Sequence, residues 1–282
     1  MRDLRFSRTF SLLQQEGHLA RTSLLSGIDL LLKANLDEKN IGKFYAAFFQ
    51  LTIGMERILK LVITTNYLLE NSYTPPSDKL LRKYGHHIKE AYIRALDIHN
   101  KWAVEKLSPP LSGSIDDLIL DFLQEFAGHA RYYNLSELSN STPDPGPLGK
   151  WYSICCEAAD LDIGITRLNK CAEQTMYQMD QLGIAGYSPT LDFDGHPMTW
   201  FDYAWRLHKI KMIAPHMVWR LIQFIEPLYD TLRSITYEAG SYEERNNISL
   251  QVIPHMYEFF VFALASKSDT LRRKSWVRTF LD

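Results

Sequence analysis

Residues 44–63, FYAAFFQLTIGMERILKLVI, carry the clearest structural signal in the chain. A helix completes a turn about every 3.6 residues, so apolar residues at alternating steps of four and three share one face. Glu56 and Lys60 lie one turn apart on another face, with the acid first. The segment therefore predicts a long amphipathic helix, with Asn40 as a candidate N-cap. Its apolar face consists of Phe44, Phe48, Leu51, Met55, Ile58 and Val62.

The flanking segments have the same periodicity. Residues 7–34 are rich in leucine and are expected to pack against the central helix. Residues 79–106 predict a helix with a break or tilt at Gly85. Residues 114–133 predict another, because Ser114 is followed three residues later by an acid, as in a capping box. Together these segments indicate a helical bundle.

The second half of the chain is also helical in pattern. The alternation of four and three is sustained over residues 154–179, which predicts one helix of seven turns. Residues 199–239 predict a helix that Pro215 and Pro227 would kink or end. Pro254 is expected to begin a last helix running towards the C-terminus.

Residues 139–149, SNSTPDPGPLG, are the best candidate for a linker, since they are polar and rich in proline and glycine. We therefore expect a helical bundle over residues 1–138 and a second α-helical region over residues 150–282, either separate or packed with the first as one unit. The predicted fold class is all-α, an antiparallel helical bundle with short connections.

Composition excludes several classes of protein. Hydrophobic residues make up 46% of the 282 positions, too many for a disordered chain. The 31 basic and 33 acidic residues leave a formal charge of −2, unlike a histone-like polycation. Three cysteines do not make a disulfide framework, the first ten residues lack a signal-peptide core, and no apolar run is long enough for a bilayer. We expect a cytoplasmic protein without membrane association.

Three short motifs, in order, resemble the HEPN superfamily of small all-α proteins. The resemblance covers about residues 7–135. The first motif is an aromatic- and alanine-rich helix with an embedded Gln, Glu and Lys, the second a Gly-His-Asp-Leu-like element, and the third an Ala-Arg-Tyr element. They correspond here to Gln50, Glu56 and Lys60, to Gly85-His86-His87-Ile88, and to Ala130-Arg131-Tyr132.

The resemblance implies a bundle that forms a homodimer and acts in prokaryotic toxin–antitoxin or anti-phage defence. Many members are ribonucleases that need no metal or other cofactor, with an arginine followed after four to six residues by a histidine. Arg82 and His87 have that spacing. Aligning the Gly-His-Asp-Leu element instead selects His86, and many branches with this element lack the nuclease signature. Both Arg82 with His87 and Arg82 with His86 are therefore candidate catalytic pairs.

Histidine and arginine suit RNA cleavage by the 2′-hydroxyl. An imidazole is available in both protonation states near neutral pH and can take the hydroxyl proton. A guanidinium is a permanent, forked cation for the charge that develops on the phosphate. Glu56 and Lys60 would support the site, and Arg131 would be a further phosphate ligand if its segment folds back.

Each of these residues also has a purely structural interpretation. A Gly-His-His sequence before a helix is often only a bend, and Glu56 with Lys60 is equally an ordinary helix-surface pair. The alternative function is a non-catalytic helical scaffold that binds a protein partner or a nucleotide. A toxin controlled by a separate antitoxin is a third hypothesis.

A C-terminal basic run is a candidate nucleic-acid contact, because cations alternate there with an indole. Its residues are Arg272, Arg273, Lys274, Trp276 and Arg278. Residues 205–211 form a second such run. Each run is otherwise a solvated helix face whose aliphatic stems cover apolar surface.

Metal binding is weakly indicated. Asp192, Asp194 and His196 alternate along one loop, but the rest of a calcium-binding loop is missing. A turn formed by aspartate and glycine explains the pattern more simply, so we predict no metal site.

Overall fold

The computed structural model describes residues 5–77, 79, 82, 85–128, 133 and 146–281. The predicted all-α class is confirmed, with 73% helix and 4% strand. Among the described residues, no helix combines the length and apolarity needed to cross a bilayer. In chain order the elements are β1 (Arg5–Phe6), α1 (Arg8–Lys33), α2 (Gly42–Glu70), α3 (Ile88–Trp102), α4 (Ile115–Gly128), α5 (Gly146–Asp162), α6 (Ile165–Gln181), β2 (Tyr187–Leu191), β3 (Pro197–Thr199), α7 (Trp200–Arg245), β4 (Leu250–Gln251), a 3-10 helix (Met256–Leu264), α8 (Lys267–Arg272) and α9 (Val277–Phe280).

The helices α1 and α2 form a tight pair at the centre of the fold. A Cβ atom added at Gly27 would lie 2.7 Å from Cγ of Leu51, and one added at Gly54 would lie 2.6 Å from Cγ of Leu24. Such distances are shorter than carbon–carbon contacts in packed cores. The two glycines therefore allow a close approach of the two helices that larger residues would prevent.

The helix boundaries partly follow the sequence signals. Ser7 caps α1, with its Oγ accepting a hydrogen bond from the Phe10 amide at 3.1 Å. Ser114 likewise accepts from the amide of Asp117 at 3.3 Å. The prediction for Asn40 is wrong: its side chain binds Asp37, and α2 begins at Gly42.

The predicted seven-turn helix over residues 154–179 is also wrong. Gly164 has a φ of +86°, which is outside the right-handed helical region, and it separates α5 from α6. After this break, only part of the predicted apolar face is buried. Leu168 is buried, whereas Ile165 and Met176 are 61% and 49% exposed.

The predicted linker overlaps a helix. Residues 146–149 form the first turn of α5, with Gly146 and Pro147 buried. Residues 139–145 lie outside the described part of the chain. Residues 146–149 of the predicted linker therefore belong to a helix.

Side chains from both halves of the chain pack in one hydrophobic core. Trp151 of α5 lies 5.2 Å from Phe48 of α2 and 5.0 Å from Phe122 of α4, measured between ring centroids. The buried His99 of α3 lies with its Nδ1 3.1 Å from Oγ1 of Thr231 in α7. These contacts join α5 to α2 and α4, and join α3 to α7.

The expectations about proline have different outcomes. The helix α7 continues from Trp200 to Arg245, so of the two alternatives for Pro215 and Pro227, a kink or an end, the end is excluded. The single last helix predicted from Pro254 is instead a 3-10 helix followed by α8 and α9. In this segment Phe260 has non-helical backbone angles, which interrupts a regular helix.

His216 lies in the middle of α7, and its surroundings lead us to expect that acid destabilises the fold. Burial lowers its pKa; Asp162 opposes this effect, whereas Lys267, Arg167 and Arg220 add to it. The folded state therefore binds a proton less readily than the unfolded chain, whose histidine has a pKa of about 6.5. The stabilisation is present above that pH and is lost as the pH falls below it.

We expect His216→Gln to lose less unfolding free energy than the native protein when urea unfolding is compared between about pH 7 and about pH 5. Other groups titrate equally in both proteins, so the difference reports His216. Parallel losses in the two proteins would contradict the prediction.

Candidate functional site

His86 lies in the turn that precedes α3, beside the central helix α2. Its Nδ1 lies 3.1 Å from Oε2 of Glu56, although the two residues are 30 positions apart in the sequence. The backbone turn is closed by the Gly85 amide, which donates to the carbonyl of Arg82 at 3.0 Å. The His86 side chain is 57% exposed, so solvent or a ligand can reach the imidazole.

Glu56 holds two of the predicted residues together. Its Oε1 lies 2.6 Å from Nζ of Lys60, one turn further along α2, while Oε2 is the atom that contacts His86. One carboxylate therefore joins a cation and an imidazole. The structure thus places Glu56, Lys60 and His86 in one cluster, as the supporting role predicted for the first two requires.

The other predicted catalytic residues occupy different surroundings. The Nδ1 atom of His87 lies 3.0 Å from Oε2 of Glu90, and both side chains are mostly exposed. This is a local pair between the residue before α3 and its first turn, and it does not reach α2. Arg82 is exposed, four positions before His86. Arg131 lies outside the described residues.

The start of α3, next to His86, is fixed to α4. The Lys89 amide donates to Oε1 of Gln124 at 3.1 Å, and the Lys89 ammonium lies 2.8 Å from both Asp117 and Asp121. Hydrogen bonds to Asp117 and then Asp121 raise the pKa of Lys89. The N-terminus of a helix also carries a partial positive charge that favours a phosphate. The two histidines therefore lie directly before the N-terminus of α3, which is anchored to α4 and carries a partial positive charge.

This arrangement is chemically suited to proton transfer. A carboxylate that binds Nδ1 orients an imidazole and stabilises its protonated form, which leaves Nε2 to accept a proton from a ligand. The positively charged ammonium group of Lys60 contacts the same carboxylate. Among the described histidines in the motif, His86 has this carboxylate from another helix, whereas His87 has only its local pair.

A groove of about 720 Å³ lies between α1 and α2 and includes Glu56 and Lys60 in its wall. Its rim also carries an ion pair between Glu16 of α1 and Arg57 of α2. Sequence reasoning missed this groove. The Glu16–Arg57 pair joins residues 41 positions apart, and local periodicity has no signal for such a contact.

The C-terminal basic run is only partly available to a ligand. Trp276 is fully buried, and its ring stacks on Phe280 with centroids 5.8 Å apart. The guanidinium of Arg273 lies over the same indole at 5.0 Å. We therefore correct the expectation for Trp276, because an indole buried in the core cannot stack on a base. The exposed cations of the run are Arg272, Lys274 and Arg278.

The basic run and the His86 cluster lie towards different ends of α1. Ser275 and the Trp276 amide bind Asp29, whereas the groove is bordered by Glu16 of the same helix. The interval between Asp29 and Glu16 is about 20 Å of helix. The structure does not bring the two predicted sites into one cluster.

The second basic run, residues 205–211, helps to hold the β2–β3 hairpin. The guanidinium of Arg206 lies 4.6 Å from the Phe193 ring centroid and 5.1 Å from that of Tyr152. The ammonium of Lys209 lies 5.7 Å from the centroid of the Trp205 ring. These contacts fit the structural interpretation of the run.

The candidate metal loop is organised as a turn. Oδ1 of Asp192 accepts hydrogen bonds from the amides of Asp194 at 2.9 Å and His196 at 2.7 Å. These bonds, that from His196 first, lower the pKa of Asp192. Ligand atoms of the three residues lie within 4.8 Å of one another. The carboxylate of Asp192 is already used by the backbone, which favours the turn interpretation.

Comparisons of the chain with known proteins give no similarity to argue from. No protein-family model, curated protein or solved structure matches it. The HEPN resemblance therefore remains a prediction from the three motifs.

Proposed function

We propose that this protein binds RNA and cleaves its phosphodiester bonds without a metal, with His86 as the base, as a HEPN-like homodimeric factor in prokaryotic stress or phage defence. The observation that carries the proposal is the 3.1 Å contact between Nδ1 of His86 and Glu56. It supports His86 over His87 as the partner of Arg82. Arg82, four positions before His86, adds a cation. The N-terminus of α3 at Ile88 adds a favourable helix dipole.

The proposed reaction begins with transfer of the 2′-hydroxyl proton to Nε2 of His86. The resulting oxyanion attacks the adjacent phosphorus, and the bond from phosphorus to the 5′-oxygen breaks. The leaving 5′-oxygen takes up a proton from water, and His86 then returns its proton to solvent, so the products are a 2′,3′-cyclic phosphate and a 5′-hydroxyl. Arg82, with Lys60 nearby, would stabilise the negative charge on the phosphate oxygens during this displacement.

A second candidate function is a non-catalytic helical scaffold, with a protein partner or a nucleotide as its ligand. The groove between α1 and α2 favours it, because a recess of about 720 Å³ is in the range of ligand-binding pockets. In this alternative Glu56, Lys60 and His86 form a polar border to the groove and take no part in catalysis.

An RNA degradation assay with excess EDTA distinguishes the two functions. We expect the purified protein to cleave single-stranded RNA in EDTA and to leave cyclic-phosphate ends, since the imidazole needs no metal for proton transfer. Cleavage that requires a divalent cation would contradict the mechanism. Absence of cleavage under all conditions would favour the binding protein.

A further inference from the structure

The groove between α1 and α2 has a lining suited to an aliphatic ligand. Along α2 it runs from Ile53 to Leu68, about 22 Å of helix. Among the described residues that line it, none is aromatic, so it offers no ring to stack on a base or another planar group. The apolar side chains that line it are Leu12, Leu13, Ile53, Leu61 and Leu68.

The polar rim holds two acids and two cations, joined in pairs. Lys60 uses one of its three ammonium donors on Glu56, and Arg57 binds Glu16 through one nitrogen of its fork. The remaining N–H groups of these two cations can bind an acceptor without breaking either ion pair. An anionic head group therefore finds donors at Lys60 and Arg57.

We propose that the groove binds a free, single-chain aliphatic anion, such as an alkyl carboxylate, with its head at Lys60 and Arg57 and its chain along the leucine side chains. The side chains of the rim are 20–46% exposed, so they can adjust at low cost. Each methylene of the chain that leaves water strengthens binding by the hydrophobic effect. The inference rests on the groove and does not depend on RNA cleavage.

Titration calorimetry with decanoate, decan-1-ol and decyltrimethylammonium, each below its micelle concentration, tests the proposal. The three ligands share an aliphatic chain, and the carboxylate head of decanoate adds charged hydrogen bonds to that apolar contribution. We therefore expect decanoate to bind about tenfold more tightly than decan-1-ol, and decyltrimethylammonium to bind most weakly. Absence of decanoate binding, or preference for the cation, would overturn the proposal. Binding to phosphatidylglycerol vesicles without binding of free decanoate would also overturn it.

Two substitutions locate the ligand. Thr64 lines the groove and is half-buried, so Thr64→Phe should fill the recess and abolish decanoate binding, whereas Thr190→Phe on the exposed hairpin should not. Lys60→Gln should weaken decanoate by about three- to tenfold and leave the alcohol unchanged. Lys101→Gln, which breaks an exposed pair with Glu70, is its control. Circular dichroism verifies folding, and undiminished binding by the folded Thr64→Phe protein would place the ligand elsewhere.

Discussion

His86→Ala is expected to reduce the rate of RNA cleavage by roughly 10²- to 10⁴-fold, which is the usual contribution of a general base. The reason is local. Glu56 contacts Nδ1 of this imidazole and orients it, and the exposed ring presents Nε2 to a substrate. The measurement is the initial rate of cleavage of a labelled single-stranded RNA in EDTA, with helical content followed by circular dichroism.

His87→Ala is the matched control, because it removes the same type of side chain from the adjacent position. His87 pairs with Glu90 at the start of α3 and not with Glu56, so we expect a much smaller loss. Arg82→Ala should also lower the rate strongly, since the point charge of Lys60 does not reproduce the forked donors of a guanidinium on the phosphate. If His87→Ala were the inactive variant, the assignment would move to that residue. Full activity of the double variant of His86 and His87 would refute the site.

Trp276→Ala is expected to lower the free energy of unfolding by about 3–5 kcal/mol, as for other large aromatic residues removed from a core. The indole is fully buried and lies against Phe262 and Phe280. Its amide and Ser275 both bind the carboxylate of Asp29, which fixes the C-terminal segment to α1. Loss of the ring would therefore create a cavity and loosen this attachment. Urea unfolding followed by circular dichroism measures the effect.

Trp276→Phe gives a sharper comparison at the same position. The indole Nε1 is buried without a hydrogen-bond partner among the described residues, and a phenyl ring keeps most of the volume while removing that N–H group. We expect it to cost clearly less than Trp276→Ala. Arg278→Ala, on the exposed side of the same segment, should change stability by less than about 0.5 kcal/mol. A small effect of Trp276→Ala would mean that the segment contributes little to the fold.

The same tryptophan illustrates how far the sequence predicts the site. An indole among arginines and lysines has the composition of a nucleic-acid contact, but composition does not say which side chains face the core. Trp276 is buried because its ring packs against Phe262 and its backbone is bound by Asp29 of α1, and local spacing does not encode these contacts. For this reason Trp276 is no longer a candidate nucleic-acid contact, and only the cations of the C-terminal basic run remain candidates.

In the His86 cluster, sequence and structure contribute different parts. The pairing of Glu56 with Lys60 follows from their spacing on one helix. The choice between two adjacent histidines does not, because both satisfy a motif of short spacing. Only the packing of the turn before α3 against α2 gives His86 the carboxylate and leaves His87 with Glu90.

The sequence alone determined the fold class, the course of α1 and α2 and the cap at Ser114, because these depend on helical periodicity and on hydrogen bonds within one turn. The tertiary structure decided the break at Gly164, the shared core of the two halves, the burial of Trp276 and the groove between α1 and α2. Each of these depends on backbone conformation or on contacts between residues far apart in the chain. Periodicity registers which face of a helix is apolar, but not which partner covers that face.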